Sequence, residues 1–393
     1  MATVNSLPIK SQWVEKLQKG YPWVYTHTLA STKITAEPGD LVYLLDGKKR
    51  PFAIGYYNPH SKLACRILTL DIKTKIDEDF FLKRFSKALA NRERRFNVPY
   101  YRLVHAEGDH LPGLVIDRFG DSLVCQTSTA GMERLKPLWL RALNKLLQPK
   151  QVIFRDDVPS RQKEGLGCDI TAAIGELDSH ITVLENNATY FAAPIDGQKT
   201  GWFFDQRANR QWVAKHCKEK SVLDLYTYSG GFGILAACQG ARTVKLVDAS
   251  EKALALAEMA ARSNQVLPAC EFIQENVFVL LEQLREQNET FDIVIADPPA
   301  FVKQAQHKGA GLRGYQKLAR LVSQVVAPSG KLFIASCSHH ANVTDFRNAV
   351  ETGIAKSGRK ATFLYKGGAD KDHPVHPLLP ETHYLKALMY ELS

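Results

Sequence analysis

Four short apolar runs in this chain each end on residues able to do chemistry. Leu332-Phe-Ile-Ala stops at Ser336-Cys337-Ser338, a thiol between two hydroxyls, and a cysteine in such a place is a candidate nucleophile once ionised. Ile293-Val-Ile-Ala stops at Asp297-Pro298-Pro299-Ala300-Phe301, a carboxylate whose following loop is stiffened by two prolines. Lys245-Leu-Val247 stops at Asp248, 24 positions after Asp224, where an acid can accept both hydroxyls of a ribose. Val222-Leu-Asp-Leu runs through Asp224 into Tyr226-Thr-Tyr-Ser229-Gly230-Gly231-Phe232-Gly233, where small residues allow tight turning and close approach of a ligand. The glycines do not follow the strict dinucleotide spacing G-x-G-x-x-G. A nucleoside without pyrophosphate needs fewer phosphate-cradling amides and suits them better.

These groups need strand ends gathered along one edge, and the pattern supplies them. From Ser221 onward, strands expected at 222–226, 243–247, 271–274, 291–296 and 331–336 alternate with helices at 232–239, 251–264, 277–286, 315–326 and 342–356. Strands near 361–365 and 385–391 close a doubly wound α/β sheet, in which ligands sit at the carboxyl ends of strands. The segment Gly197-Gln-Lys-Thr-Gly-Trp-Phe-Phe-Asp-Gln-Arg207 leads into this domain through a helix entered at Asp205, with Gln206 and Arg207 directed toward a ligand beside the glycine turn. Lys199-Thr200 resembles the end of a phosphate loop, but Gln198 occupies the required glycine, so ATP binding there is rejected.

Ahead of this domain, strand-like runs at 41–45, 51–57 and 63–68, with the turn Asp46-Gly47 and a helix at 12–17, describe a small β-barrel over residues 1–75. An α+β domain follows over 76–192, with helices at 76–96 and 132–147, and the last domain covers 193–393. In 102–113, His105, Glu107 and Asp109 read as turn residues rather than a catalytic group.

The formal charge is +10, and the first 75 residues hold 11 Lys and Arg against 5 Asp and Glu, which points to a polyanionic partner, nucleic acid first. Lys48, Lys49, Arg50, Lys62 and Arg66, interleaved with Tyr56, Tyr57 and His60, offer charges for phosphates and rings for exposed bases. Lys303, Arg313 and their basic neighbours, with glycines at 309, 311 and 314, read as a loop that orders on RNA. The seven cysteines form no CxxC pair, and His373-Pro-Val-His376 lacks further ligands, so no metal site is expected. No run of about 18 apolar residues occurs and the N-terminal segment lacks a signal-peptide core, so a cytoplasmic protein without membrane partners is expected.

With Asp224, Asp248, Asp297-Pro-Pro and Ser-Cys-Ser in place, the last domain resembles class I S-adenosylmethionine-dependent methyltransferases. The whole chain, including Leu111-Pro-Gly-Leu-Val-Ile-Asp-Arg118, resembles the bacterial large-subunit ribosomal RNA cytosine-5 methyltransferase family that carries an N-terminal PUA domain. The resemblance implies S-adenosyl-L-methionine as cofactor, held by Asp224, Tyr226, Ser229, Gly230, Gly231, Phe232, Asp248, Asn276 and Asp297 together with Gln206 and Arg207. It implies Cys337 as nucleophile, Asp297 as its acidic partner and ribosomal RNA as substrate, with a homodimer left open. Two departures stand out: Pro299 occupies the place of a second cysteine that assists release in many relatives, and Asn276 the place of an aspartate facing adenine. Two alternatives remain: an RNA amino-group methyltransferase acting on guanine or adenine, and a non-catalytic RNA-binding or ribosome assembly factor.

Overall fold

The computed structural model describes residues 5–31, 33–197 and 199–393. Met1–Val4 and Gln198, on which the phosphate-loop comparison turned, lie outside them. By compactness the chain divides into two units where three domains were expected, and neither unit is continuous in sequence.

The first unit comprises Met1–Ile181, Ala193–Trp202 and Asp372–Pro380. Its barrel-like sheet orders the strands Asn5–Pro8, Leu41–Leu45, Pro51–Tyr57, Cys65–Thr69 and Trp23–Val24. Period-two alternation buries Val42 and Leu44 completely, and the Asp46 carboxylate closes the hairpin by accepting the backbone N–H groups of Lys48 and Arg50. The second sheet runs Ile170–Ile174, Gln151–Arg155, Ser122–Thr127, Leu114–Phe119, Tyr100–His105. Tyr100–His105, which begins just ahead of the hairpin-rich region read from Arg102 onward, is a strand in which Tyr101, Leu103 and Val104 are buried while Arg102 pairs with Asp117 at 2.9 Å. The helix expected at 132–147 is two helices, Ala130–Arg134 and Lys136–Leu147, since Pro137 has no N–H to give the carbonyl four residues back.

Residues on both sides of position 75 belong to the same compact unit. The Tyr56 hydroxyl donates to the carbonyl of Pro112 at 2.8 Å and meets Thr129 at 3.1 Å, and the Glu164 carboxylate collects Asn58 and Arg66. Barrel and middle sheet thus share buried polar bonds that a one-dimensional pattern does not display.

The second unit comprises Thr182–Ala192, Phe203–Lys371 and Glu381–Ser393. The hairpin of Ile181–Glu185 and Ala188–Ala192 turns on Asn186 and Asn187, both left-handed, and groups mainly with this unit. Glu185 pairs with Arg210 at 2.7 Å, and Thr189 exchanges backbone bonds with the Asn264 amide. Seven strands form the main sheet: β1 (Ser221–Leu225), β2 (Thr243–Asp248), β3 (Cys270–Gln274), β4 (Phe291–Ala296), β5 (Val326–Ser336), β6 (Ala361–Gly367) and β7 (Lys386–Leu392). Their order is β3-β2-β1-β4-β5-β7-β6, with β1 to β5 parallel and β7 antiparallel to both neighbours. The helices are α1 (Arg207–Ala214), α2 (Gly231–Cys238), α3 (Glu251–Ser263), α4 (Val277–Glu286), α5 (Lys308–Gln324) and α6 (Val343–Lys356). Ser250, Asn276 and Asn342 cap α3, α4 and α6 with side-chain oxygens. Among the described residues no helix is long and apolar enough to cross a membrane.

Helix α5 corrects one expectation. Residues 303–317, read as a loop that orders on RNA, are helical from Lys308 onward. Gly311 is there for contact: a Cβ on it would collide with Val302 and lie 2.7 Å from the Phe301 carbonyl oxygen. Gly314 likewise rests on the Phe301 ring.

Candidate active site

Strand register gathers the chemistry. Leu225 of β1 lies opposite Val247 of β2 and Ala296 of β4, and Ala296 lies opposite Ile334 of β5. Tyr226 and Asp297 therefore stand one residue past that level, and Cys337 three. On the other side Asp248 lies opposite Gln274 of β3, two residues before Asn276. The chain winds from β1 outward through β2 and β3, then returns to β4 on the opposite side of β1. That reversal opens a crevice at the carboxyl edge.

The turn after β1 is wound by three left-handed residues, Tyr226, Tyr228 and Gly230. A non-glycine residue holds that conformation only where its surroundings over-determine it. Here they do. Asp224, 1% exposed, receives both the Thr227 hydroxyl at 2.5 Å and the Gly233 N–H at 2.7 Å on one carboxylate oxygen. The Asp248 carboxylate accepts the N–H of Tyr228 and of Ser250, each at 2.9 Å. Burial pushes the Asp224 carboxyl up to about 7 against the pull of its two hydrogen bonds, and the charge of Asp297 adds to the rise. Asp224 is thus a brace for the turn rather than a group presented on its surface.

Whether the turn fits a nucleoside cofactor is tested by one atom. The Ser229 hydroxyl is fully buried and has no hydrogen-bond partner among the described residues. Buried hydroxyls are nearly always partnered, so an orphan in a glycine turn fits a ligand that supplies the missing bond. Gly231 fits as well, since a Cβ there would lie 2.6 Å from Nε of Arg210. Phe232 serves differently from expectation: its ring is buried against Phe333 at 5.1 Å, which leaves its backbone for a ligand. Tyr226 is half-buried, and burial, then Asp248 and Tyr315, hold its phenol protonated. Asn276 is exposed, with its side-chain oxygen taken by the N–H of Phe278.

Gln206 and Arg207 part company. The Gln206 amide donates to the Asp297 carboxylate at 2.8 Å while accepting from Asn209 at 2.6 Å, so it orients the acid. The Arg207 guanidinium, expected beside the glycine turn, is held between Glu185 and Asp370, each at 3.5 Å. Arg210 lies against the turn instead. Its position three residues after Arg207, one helical turn on, was the available signal.

Cys337 is half-buried between two fully buried serines. Those serines are structural rather than activating. The Ser336 hydroxyl donates to the Tyr315 phenol at 2.9 Å, and Ser338 bonds the same phenol at 2.9 Å and accepts the Val302 N–H at 3.1 Å. Tyr315 on α5 thereby ties the loop after Asp297 to the loop carrying Cys337. Nothing in the local sequence around Tyr315 announces that role.

Of the residues expected to touch RNA, Lys48, Lys49, Arg50 and Lys62 are exposed on the barrel, with Arg50 paired to Asp46 at 2.8 Å. Lys303 and Arg313 are exposed as well. Arg66 is not available: its side chain is 12% exposed and pairs with the buried Glu164 at 3.0 Å. Tyr56 and Tyr57 are buried, leaving His60 exposed. Glu107 accepts from the Trp23 indole, and Asp109 pairs with Arg92.

A sheet of this order, with acids at the ends of β1, β2 and β4 around a glycine turn, defines an S-adenosylmethionine-dependent methyltransferase fold. Residues 161–390 match the S-adenosylmethionine-dependent methyltransferase family and residues 7–70 the PUA-like domain family. The chain belongs to this methyltransferase family, with S-adenosyl-L-methionine as cofactor and a PUA-like domain ahead of the catalytic sheet. Among its relatives is the protein named ribosomal RNA large subunit methyltransferase I of Tolumonas auensis, 35% identical over 95% of this chain and 96% of that one. The protein of the same name from Aeromonas salmonicida is 36% identical over 95% and 96%. A solved structure from Streptococcus mutans shares the fold with TM-score 0.82 at 22% identity, covering 98% of this chain and 99% of that one.

Proposed function

We propose that this protein methylates C5 of a cytosine in large-subunit ribosomal RNA, with Cys337 as covalent nucleophile and Asp297 as its acidic partner. The substrate class follows from the names of its relatives, which match it over nearly their whole length. The observation that supports the chemistry is the placement of Asp297 and Cys337 just past the carboxyl ends of adjacent parallel strands, their loops joined through Tyr315 and Ser338.

Bound S-adenosylmethionine supplies an electrophilic methyl group on a sulfonium, and the residues that would hold it are Ser229, Gly230, Gly231 and Asp248. C5 of cytosine is a weak nucleophile, so the base must first be activated. The Cys337 thiolate adds to C6, and the electron pair of the C5–C6 double bond shifts so that C5 becomes enamine-like and takes the methyl group. Asp297, oriented by Gln206, donates from its acid form to N3, which offsets the negative charge that thiolate addition pushes into the ring, and takes the proton back when the thiolate leaves. A base or solvent water then takes the C5 proton, and the electron pair of the C5–H bond re-forms the C5–C6 double bond and expels the Cys337 thiolate, restoring the aromatic ring. The target base must be unstacked to reach this edge.

The test is methylation of unmodified ribosomal RNA in vitro, read by nucleoside mass spectrometry. We expect 5-methylcytidine from the wild type. Cys337→Ala should retain cofactor affinity by calorimetry and lose methyl transfer by more than about a thousandfold. N-methylated guanosine or adenosine would reassign the enzyme to amino groups. Absence of cofactor affinity would mark an assembly factor.

A further inference from the structure

The first residue of β7 is Lys386, opposite Ser336 in the antiparallel pairing with β5. Its side chain is almost wholly inside the protein, 3% exposed. Two of its ammonium protons go to backbone carbonyls, Ser338 at 2.6 Å and Tyr384 at 2.7 Å. Among the described residues no carboxylate forms an ion pair with it. A buried ammonium satisfied only by neutral carbonyls is expensive, and chains rarely keep one without an anion nearby. Lys386 stands opposite Ser336 and grips the carbonyl of Ser338, the two residues that flank the Cys337 thiol, and a charge on that sulfur favours the ammonium.

We infer that Lys386 is the counter-ion of the Cys337 thiolate, a positioning residue that keeps the nucleophile ionised and its loop in place. The inference rests on Cys337 as nucleophile and adds what ionises it. Burial lowers the Lys386 ammonium to about 8, and Cys337 works in the opposite direction, as expected of a pair sharing charge. The proton count is simple. Thiol plus amine and thiolate plus ammonium hold the same number of protons, and the two carbonyls that accept from the ammonium, together with the opposite charge on sulfur, offset the cost of burial and favour the charged form. When sulfur bonds C6 the ammonium keeps its proton, and when the C6–S bond breaks the thiolate returns to it. Of the other titratable groups around the loop, the Tyr315 phenol is held protonated by burial, with Cys337 adding to the rise, and His339 packs on Tyr384 at 5.1 Å.

The experiment follows alkylation of Cys337 by iodoacetamide against pH, read on the Cys337 peptide by mass spectrometry, in full-length wild type, Lys386→Met and Lys386→Arg. The wild-type midpoint should lie below the ordinary thiol value of about 8.5. In Lys386→Met it should rise by about one pH unit or more, with kcat falling and cofactor affinity unchanged. Lys386→Arg should recover most of the shift, which a purely structural role would not predict. Equal midpoints in wild type and Lys386→Met would overturn the inference. If Lys386→Met does not fold, a wild-type midpoint at or above the ordinary value does so alone. Should Cys337→Ala still methylate RNA while the Lys386 shift is present, the nucleophile reading fails and the ion pair stands.

Discussion

Asp224 shows how a residue expected to touch a ligand can instead set the shape that a ligand meets. Its two hydrogen bonds converge on a single oxygen and hold Thr227 and Gly233, the two ends of the glycine turn. Full burial makes the charged form costly, which raises its folded pKa to about 7 from the usual 3.8. The unfolded chain therefore releases this proton at a lower pH than the folded protein does. The stability Asp224 contributes is complete below about pH 4, falls as pH rises, and is gone above about pH 7, a span worth up to about 4 kcal/mol. Asp224→Asn keeps an oxygen for both donors and removes the titration. We expect melting temperature measured from pH 4 to 8 at fixed ionic strength to lose this component in the variant. Parallel curves for the two proteins would show that Asp224 is already ionised when folded.

At the scale of elements, α5 decides how the two reactive loops stand. Its glycines mark where a helix lies flush on a neighbouring loop, and they differ in what surrounds them. Gly311 meets Val302 and the Phe301 carbonyl, whereas Gly309 is exposed and a Cβ there would meet only the flexible end of Arg313 at 3.6 Å. Gly311→Ala should destabilise the protein by about 1 to 3 kcal/mol, shift Phe301–Val302 and loosen the Tyr315 bonds to Ser336 and Ser338. Lower kcat with unchanged cofactor affinity is the expected kinetic result, because the glycine turn lies on another element. Gly309→Ala should be neutral or stabilising by up to about 1 kcal/mol. Chemical denaturation separates the two, and equal effects would show that the contact at Gly311 is slack.

For the whole molecule, the relevant quantity is the net charge of +10 and which cations are free to use it. Lys48, Lys49 and Lys62 are exposed, and no carboxylate among the described residues pairs with them. Arg66, from the same stretch, is bound to Glu164 inside the first unit. Replacing the three lysines with alanine should weaken RNA binding and reduce the magnitude of the log Kd against log salt slope by about 2, with unfolding unchanged. Arg66→Ala should do the reverse: it leaves a buried carboxylate unpaired and costs about 3 kcal/mol of stability, with little change in the salt slope. Filter binding across salt concentrations together with urea denaturation reads both. A full salt slope in the triple variant would move the RNA surface elsewhere.

The alternation of strand and helix after Ser221, and the acids and thiol at strand ends, were legible because both depend on local periodicity: a buried parallel strand is an apolar run, and its carboxyl end is simply where the run stops. Asp248, Asp297 and Cys337 came out at one edge for that reason. The grouping of the chain into units was not legible, since Asn58, Arg66 and Glu164 meet across about a hundred residues of sequence. Nor were the roles of side chains whose partners are remote. Arg207 and Arg210 look alike on one helix, and only the position of the glycine turn places Arg210 against it. Lys386 looks like one more strand-end lysine until β7 pairs with β5 and buries it beside Cys337. Residue type and spacing determined which chemistry was present and on which edge. Burial and long-range pairing, which set the cost of every charge, decided which residues are free to perform it.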